Sequence, residues 1–215
     1  YKIDRGDVVL EEEELRSKYI KPFKESINMG VGSIMVSYNS WKGQKLHGHK
    51  YLINDVLKKE LGFDGIVVSG WAGINELDKD YKTCIIQSIN AGIDMNMVPG
   101  SLNPDDNSYD DFIRLAIESV KEGSIPMERI DDAVSRIIRI KKKIGLFNNP
   151  IKKPKNTAVV GSKKHRELAR KSVRKSLVLL KNENQILPLQ KNNSKITLVG
   201  EHADNIGYQS GGWTI

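Results

Sequence analysis

The stretch Leu61-Gly-Phe-Asp-Gly-Ile-Val-Val-Ser-Gly-Trp71 decides the fold. Ile66, Val67 and Val68 form a short apolar β-branched run, flanked by Gly65 and by Ser69-Gly70. Such a run lacks polar alternation, so both of its faces must be covered, as in a parallel strand packed under helices. A helical pattern precedes it over residues 50–61, with Leu52, Val56, Leu57 and Leu61 inward. It ends at Ser69-Gly70-Trp71, where a strand of an α/β barrel hands over to its active-site loop.

Working outward, helix and strand alternate over residues 11–146. Residues 11–29 open with acidic side chains and carry Leu15, Tyr19, Phe23 and Ile27 on one helical face. Residues 31–39 read as a strand, 66–69 as a second, and 91–99 as a third after a helix over 81–90. Helices over about 108–122 and 127–144 follow, the second stopping at Gly145. Alternation at this spacing predicts right-handed βαβ units and a parallel sheet. Residues 148–157, rich in Pro, Asn and Lys, read as a linker between a first unit at 1–147 and a second at 158–215. The second unit is expected to hold a helix over 162–181, a strand over 195–200 and a glycine-bearing loop at Gly200-Glu-His-Ala-Asp204.

Composition narrows the function. The 215-residue chain is 39% hydrophobic and 28% charged, in the range of globular proteins, and has no apolar run of membrane-spanning length. Its net charge of +7 raises a nucleic-acid reading. The cations, however, collect in Arg136-Ile-Ile-Arg-Ile-Lys-Lys-Lys143, the polar face and last turn of a helix, and in Lys152-Lys-Pro-Lys155 of the linker. No zinc spacing, basic zipper or aromatic RNA-binding motif accompanies them, so neither a nucleic-acid nor a membrane partner is expected. The lone Cys84 lies in an apolar helical pattern and is expected to be a buried thiol. His47 and His49 are two ligands in one loop with no third nearby, short of a metal site; no cofactor is expected.

Several segments in order resemble glycoside hydrolase family 3, in its β-glucosidase and β-glucan exohydrolase branch. They are Ile34-Met-Val-Ser-Tyr-Asn-Ser-Trp41, Gly62-Phe-Asp-Gly-Ile-Val-Val-Ser-Gly-Trp71, Ala91-Gly-Ile-Asp-Met-Asn-Met-Val-Pro99, Arg129-Ile-Asp-Asp-Ala-Val134, Ser176-Leu-Val-Leu-Leu-Lys-Asn182 and Gly211-Gly-Trp-Thr214. The resemblance implies an α/β fold: the last three strands of a TIM (β/α)8 barrel, followed by the start of an α/β sandwich. The rest of both would lie in other parts of a longer parent polypeptide.

The resemblance also implies a chemistry, retaining hydrolysis of a β-glycosidic bond. One carboxylate attacks the anomeric carbon while a carboxylic acid protonates the leaving oxygen. The family's nucleophile is an aspartate at the position held here by Gly70, and its acid/base glutamate lies beyond Ile215. Glycine at 70 is therefore expected to leave a small cavity facing the anomeric carbon. Tyr38 matches a tyrosine lining the sugar site, and Trp71 and Trp213 match tryptophans that sandwich the sugar beyond the scissile bond. Trp41 and Met97 are expected to pack, and Asp94 to serve as a structural hydrogen-bonding residue. Asp64 lies at the far end of the strand, and nothing in the spacing aims Glu76 or Asp78 at the site. The expected ligand is a β-linked oligo- or polysaccharide. Family members are often exported, to the periplasm or beyond, but the sequence leaves the compartment open.

Overall fold

The computed structural model describes residues 3–100, 107–150, 157–191 and 195–211. The chain divides into two compact units, Tyr1–Lys152 and Lys153–Ile215.

In the first unit a 3-10 turn (Ile3–Arg5) is followed by β1 (Asp7–Val8) and a helix α1 over residues 12–28. The three glutamates that open α1 suit the positive end of its dipole, and its middle, Leu15–Ile20, is wound as a π-helix. Strand β2 (Ser33–Met35) and strand β5 (Ile66–Val68) pair in parallel, with Ser33 opposite Ile66, Ile34 opposite Val67 and Met35 opposite Val68. Ile66 and Val67 of the β-branched run are buried as expected, Val67 being wholly inaccessible. Between these strands lie the short strands β3 (Ser40–Trp41) and β4 (Gln44–Lys45) and a helix α2 (Tyr51–Glu60). Strand β3 pairs in parallel with β1 and antiparallel with β4, an arrangement that no periodicity in the sequence announces.

After β5 come α3 (Tyr81–Ala91), α4 (Tyr109–Lys121) and α5 (Met127–Lys143). Local chemistry sets several of their ends. The Asp80 side chain accepts from the Thr83 N–H, and Ser108 forms a capping box with Asp111. Gly92, at φ 116°, turns the chain out of α3 in the left-handed conformation. Phe63, Ile74, Cys84, Ile85, Ile93 and Ile125 close the core beneath the β2–β5 pair, and Cys84 is the buried thiol expected.

The third strand differs from expectation. Helix α3 takes Ala91, and residues 93–99 form no strand; they join β5 through a parallel bridge between Val68 and Met95 and through the Asp94 and Met95 N–H groups, which donate to the Val67 carbonyl. The cause is Asp94. Its Oδ2 accepts the Val67 N–H at 2.9 Å, where a backbone carbonyl would continue the ladder. Its Oδ1 accepts from Lys58 Nζ at 2.7 Å and from Arg129, and the carboxylate is fully buried. Asp132 and Arg136 extend this network to the Phe63 and Gly65 carbonyls. Asp94 is thus structural, at the end of the strands opposite the site.

The second unit departs further from the sequence reading. Ser162 caps α6 (Lys163–Ser176), which ends before the expected residue 181: Leu177 has ψ 130° and opens an extended segment. Leu177, Val178, Leu179 and Leu180 are all exposed. Residues 195–199 form no strand, and no strand partner for them is present among the described residues of this unit. A short 3-10 turn (Glu201–Asp204) and α7 (Ile206–Ser210) follow, with the His202 and Tyr208 rings 5.0 Å apart. Among the described residues, no helix is long and apolar enough to cross a membrane.

Candidate active site

The C-terminal ends of β2 and β5 and the bridged segment at Met95 converge on Gly70. The Ser69 N–H donates to the Met95 carbonyl at 3.0 Å, the Met97 N–H to Ser69 Oγ at 2.7 Å, and the Ala72 N–H to the Met97 carbonyl at 3.0 Å. These bonds tie the segment at 95–97 to the chain just past β5. Gly70 itself is buried, and its φ lies outside the left-handed region, so its backbone suits any residue.

Tyr38 leans over this point. Its hydroxyl donates to the Trp71 carbonyl at 2.6 Å. A Cβ built at Gly70 would stand 3.0 Å from Tyr38 Cζ and 3.2 Å from its hydroxyl oxygen. The small cavity expected at position 70 is therefore lined closely by the Tyr38 ring, and a side chain there would need the ring to yield by a few tenths of an ångström. Burial raises the Tyr38 pKa above the usual phenol value, so its hydroxyl stays a donor. The Trp71 indole is 55% exposed and offers an aromatic face beside Gly70. Tyr38, Gly70 and Trp71 are thus neighbours; Trp213 lies outside the described residues.

Around them stands a charged cluster that the sequence did not reveal. Glu76 lies in the 3-10 turn Gly73–Glu76; its two oxygens are taken by Arg5 Nε at 2.7 Å and Lys45 Nζ at 2.6 Å. Burial opposes the charge of Glu76, but the hydrogen bonds from Lys45 and Arg5 prevail and lower its pKa. Arg5 also lies 4.4 Å above the Tyr38 ring, and Lys45 Nζ donates to the Tyr38 carbonyl at 3.1 Å. Glu76 is accordingly a paired carboxylate that holds Arg5 and Lys45, the two cations that touch Tyr38. Arg5 is separated from Glu76 by 71 positions, a contact with no local sequence signal.

The two loop histidines are engaged separately. His47 is wholly buried, and its Nε2 accepts the Gly70 N–H at 2.9 Å. His49 packs between Trp41 and Tyr51 and accepts the Leu52 N–H. Trp41 packs as expected, its indole N–H donating to the Leu10 carbonyl.

Parallel strands under helices, with aromatic and paired charged side chains gathered at the strands' C-terminal ends, define an α/β protein. The model of the glycosyl hydrolase family 3 N-terminal domain matches residues 3–140, and that of the family's C-terminal domain matches residues 177–215. This chain belongs to glycosyl hydrolase family 3. It is 37% identical to the lysosomal β-glucosidase of Dictyostelium discoideum, over 99% of this chain and 26% of that protein. An exo-1,3/1,4-β-glucanase from a Pseudoalteromonas species is 40% identical in its crystal structure, with a TM-score of 0.76, over 98% of this chain and 26% of that one. A mutant β-glucosidase from Listeria innocua, solved in complex with laminaribiose, is 27% identical with a TM-score of 0.67, over 86% of this chain and 25% of that one. The chain spans about a quarter of the length of the curated relatives it matches. Those relatives are glycoside hydrolases, so glycoside hydrolysis is the activity at the level of the family.

Proposed function

We propose that this chain carries the nucleophile position of a retaining, exo-acting β-glucosidase or β-glucan exohydrolase, and that Gly70 leaves it without the nucleophile. The single observation that carries this reading is the setting of Gly70. It is buried at the C-terminal end of the central strand, in ordinary backbone conformation, beside Tyr38 and Trp71 and with no carboxylate of its own. Retaining hydrolysis needs an ionised carboxylate there to form the glycosyl ester. Glu76 does not supply it, since both its oxygens are held by cations.

In this reading Tyr38 lines the sugar site, and Trp71 with Trp213 grips the sugar beyond the scissile bond through the apolar face of the pyranose. The parent polypeptide supplies the acid/base glutamate and the remaining strands of a TIM barrel, for which residues 1–147 give the last three; residues 148–157 link these to the start of a sandwich domain at 158–215. The substrate is a β-linked glucan or glucoside from which terminal glucosyl units are removed. The test is hydrolysis of an aryl β-glucoside by the full-length parent with Gly70→Asp, with the product anomer followed by NMR. First-formed β-glucose supports the reading, and α-glucose contradicts it.

A second reading is a protein that binds the saccharide without cleaving it. The half-exposed Trp71 and the braced Tyr38 favour it, because a binding platform persists where the reactive group does not. Calorimetric titration of the unsubstituted full-length protein with laminaribiose distinguishes it: saturable binding without turnover supports this reading, and absence of binding rejects it.

A further inference from the structure

We propose that His47 is a positioning residue that fixes the backbone at position 70, and so aims whatever side chain stands at the end of β5. The inference rests on the reading of position 70 as the nucleophile position. His47 sits in the 3-10 turn Leu46–Gly48, which packs against the turn Gly73–Glu76 just beyond the site. Its Nε2 accepts the Gly70 N–H at 2.9 Å, a contact that spans 23 positions and is fully buried. An acceptor Nε2 carries no proton, so the neutral ring must carry its proton on Nδ1.

That proton finds no acceptor among the described residues: Nδ1 is buried and unpartnered. Among the described residues, the Gly70 N–H is thus the hydrogen-bond partner of this ring. The loop beyond the strand is built around the same ring. A Cβ at Gly73 would stand 2.3 Å from Nε2, so the chain passes the imidazole at a distance only glycine allows. The Tyr38 ring lies 5.7 Å away and closes the other side. Burial pushes the His47 pKa down to about 4, which keeps Nε2 an acceptor through neutral pH. Tyr38 and His47, on either side of the β3–β4 hairpin, thus hold backbone groups of successive residues, the Trp71 carbonyl and the Gly70 N–H.

Displacement of a reacting group by about 1 Å can cost roughly a hundredfold in rate. In the full-length polypeptide with Gly70→Asp, His47→Leu should lower kcat about tenfold to a hundredfold while KM changes little. His47→Gln, which keeps an acceptor, should restore most of the loss. A purely structural role predicts that both variants lose stability together, without a split between kcat and KM. That result overturns the proposal.

Two readouts on the unsubstituted full-length protein need no activity. Nitrogen-15 spectra should show His47 protonated on Nδ1 and bare on Nε2. The amide of residue 70 should be protected from exchange, lose protection in His47→Leu and keep it in His47→Gln. A proton on Nε2, or an amide indifferent to His47→Leu, overturns the proposal. Should the Gly70→Asp protein remain inactive, the reading of position 70 fails by itself, and the amide protection still decides the role of His47.

Discussion

At the residue scale, position 70 is a buried glycine at the end of β5, and in the proposed reading it separates the family's scaffold from its chemistry. Its neighbours were legible in the sequence: Tyr38 and Trp71 were expected beside it, and the structure brings both there. What surrounds them was not legible, because Arg5, Lys45 and Glu76 meet through contacts between positions far apart in the chain. His47 was visible only as half of a His-Gly-His pair. Its hydrogen bond to Gly70 depends on two loops meeting, which local spacing does not encode. Two outcomes follow from its burial. Gly73→Ala should destabilise the full-length protein by about 2–4 kcal/mol, because its Cβ collides with a wholly buried ring and the tightly packed turn must move; chemical denaturation measures this. The second outcome concerns pH. With the folded pKa near 4 and an ordinary value of 6.5, the unfolded chain binds the proton first as pH falls. The contribution of His47 is fully present above about pH 6.5 and is lost as pH drops towards 4, by about 3 kcal/mol at about 1.4 kcal/mol per unit. Glu76 and Lys45, the charged groups acting on His47, pull in opposite directions and leave that window in place. Denaturation midpoints should fall more steeply over this range in the parent than in His47→Gln.

At the element scale, the helices were the most readable features and the strands the least. Helices α3, α4 and α5 are bounded by local signals, and the structure places them within a residue or two of expectation. The segment over 91–99 misled because its composition is that of a strand, while Asp94 is spent on the Val67 N–H and on two cations. In the second unit the run Leu177–Leu180 continued the helical pattern in sequence, yet it leaves the helix and lies exposed. The Asp94 network makes a strong prediction. Lys58 is 4% exposed in its side chain, and removing its partner strands a buried charge. Asp94→Ala should cost about 3–5 kcal/mol of stability. Urea denaturation of the full-length protein measures this, and a loss below about 1 kcal/mol would contradict the network's role.

At the scale of the whole molecule, the α/β character and the family were legible, since both follow from short segments in a fixed order. The sequence also reads as part of a longer polypeptide, and the chain spans about a quarter of the length of the curated relatives it matches. The outer edge of β2 has no strand partner among the described residues, Met35 is 61% exposed, and the second unit leaves Leu177–Leu180 in solvent. Open edges and apolar patches promote association. The isolated 215-residue chain should therefore aggregate and show no aryl β-glucosidase activity, as light scattering and a chromogenic assay would report. A monodisperse, cooperatively melting monomer would contradict the first expectation, and turnover surviving exhaustive purification the second. The central claim is that Gly70 occupies the place of the nucleophile, and its most direct test is a comparison of the full-length polypeptide with and without Gly70→Asp. Loss of a covalent nucleophile can cost roughly 10⁶-fold in rate. Restoring the carboxylate should raise kcat/KM on an aryl β-glucoside by at least about 10³-fold, with a covalent glycosyl adduct on residue 70 trapped and seen by mass spectrometry. A Gly70→Asp protein as inactive as its parent, with no adduct at residue 70, would contradict the account.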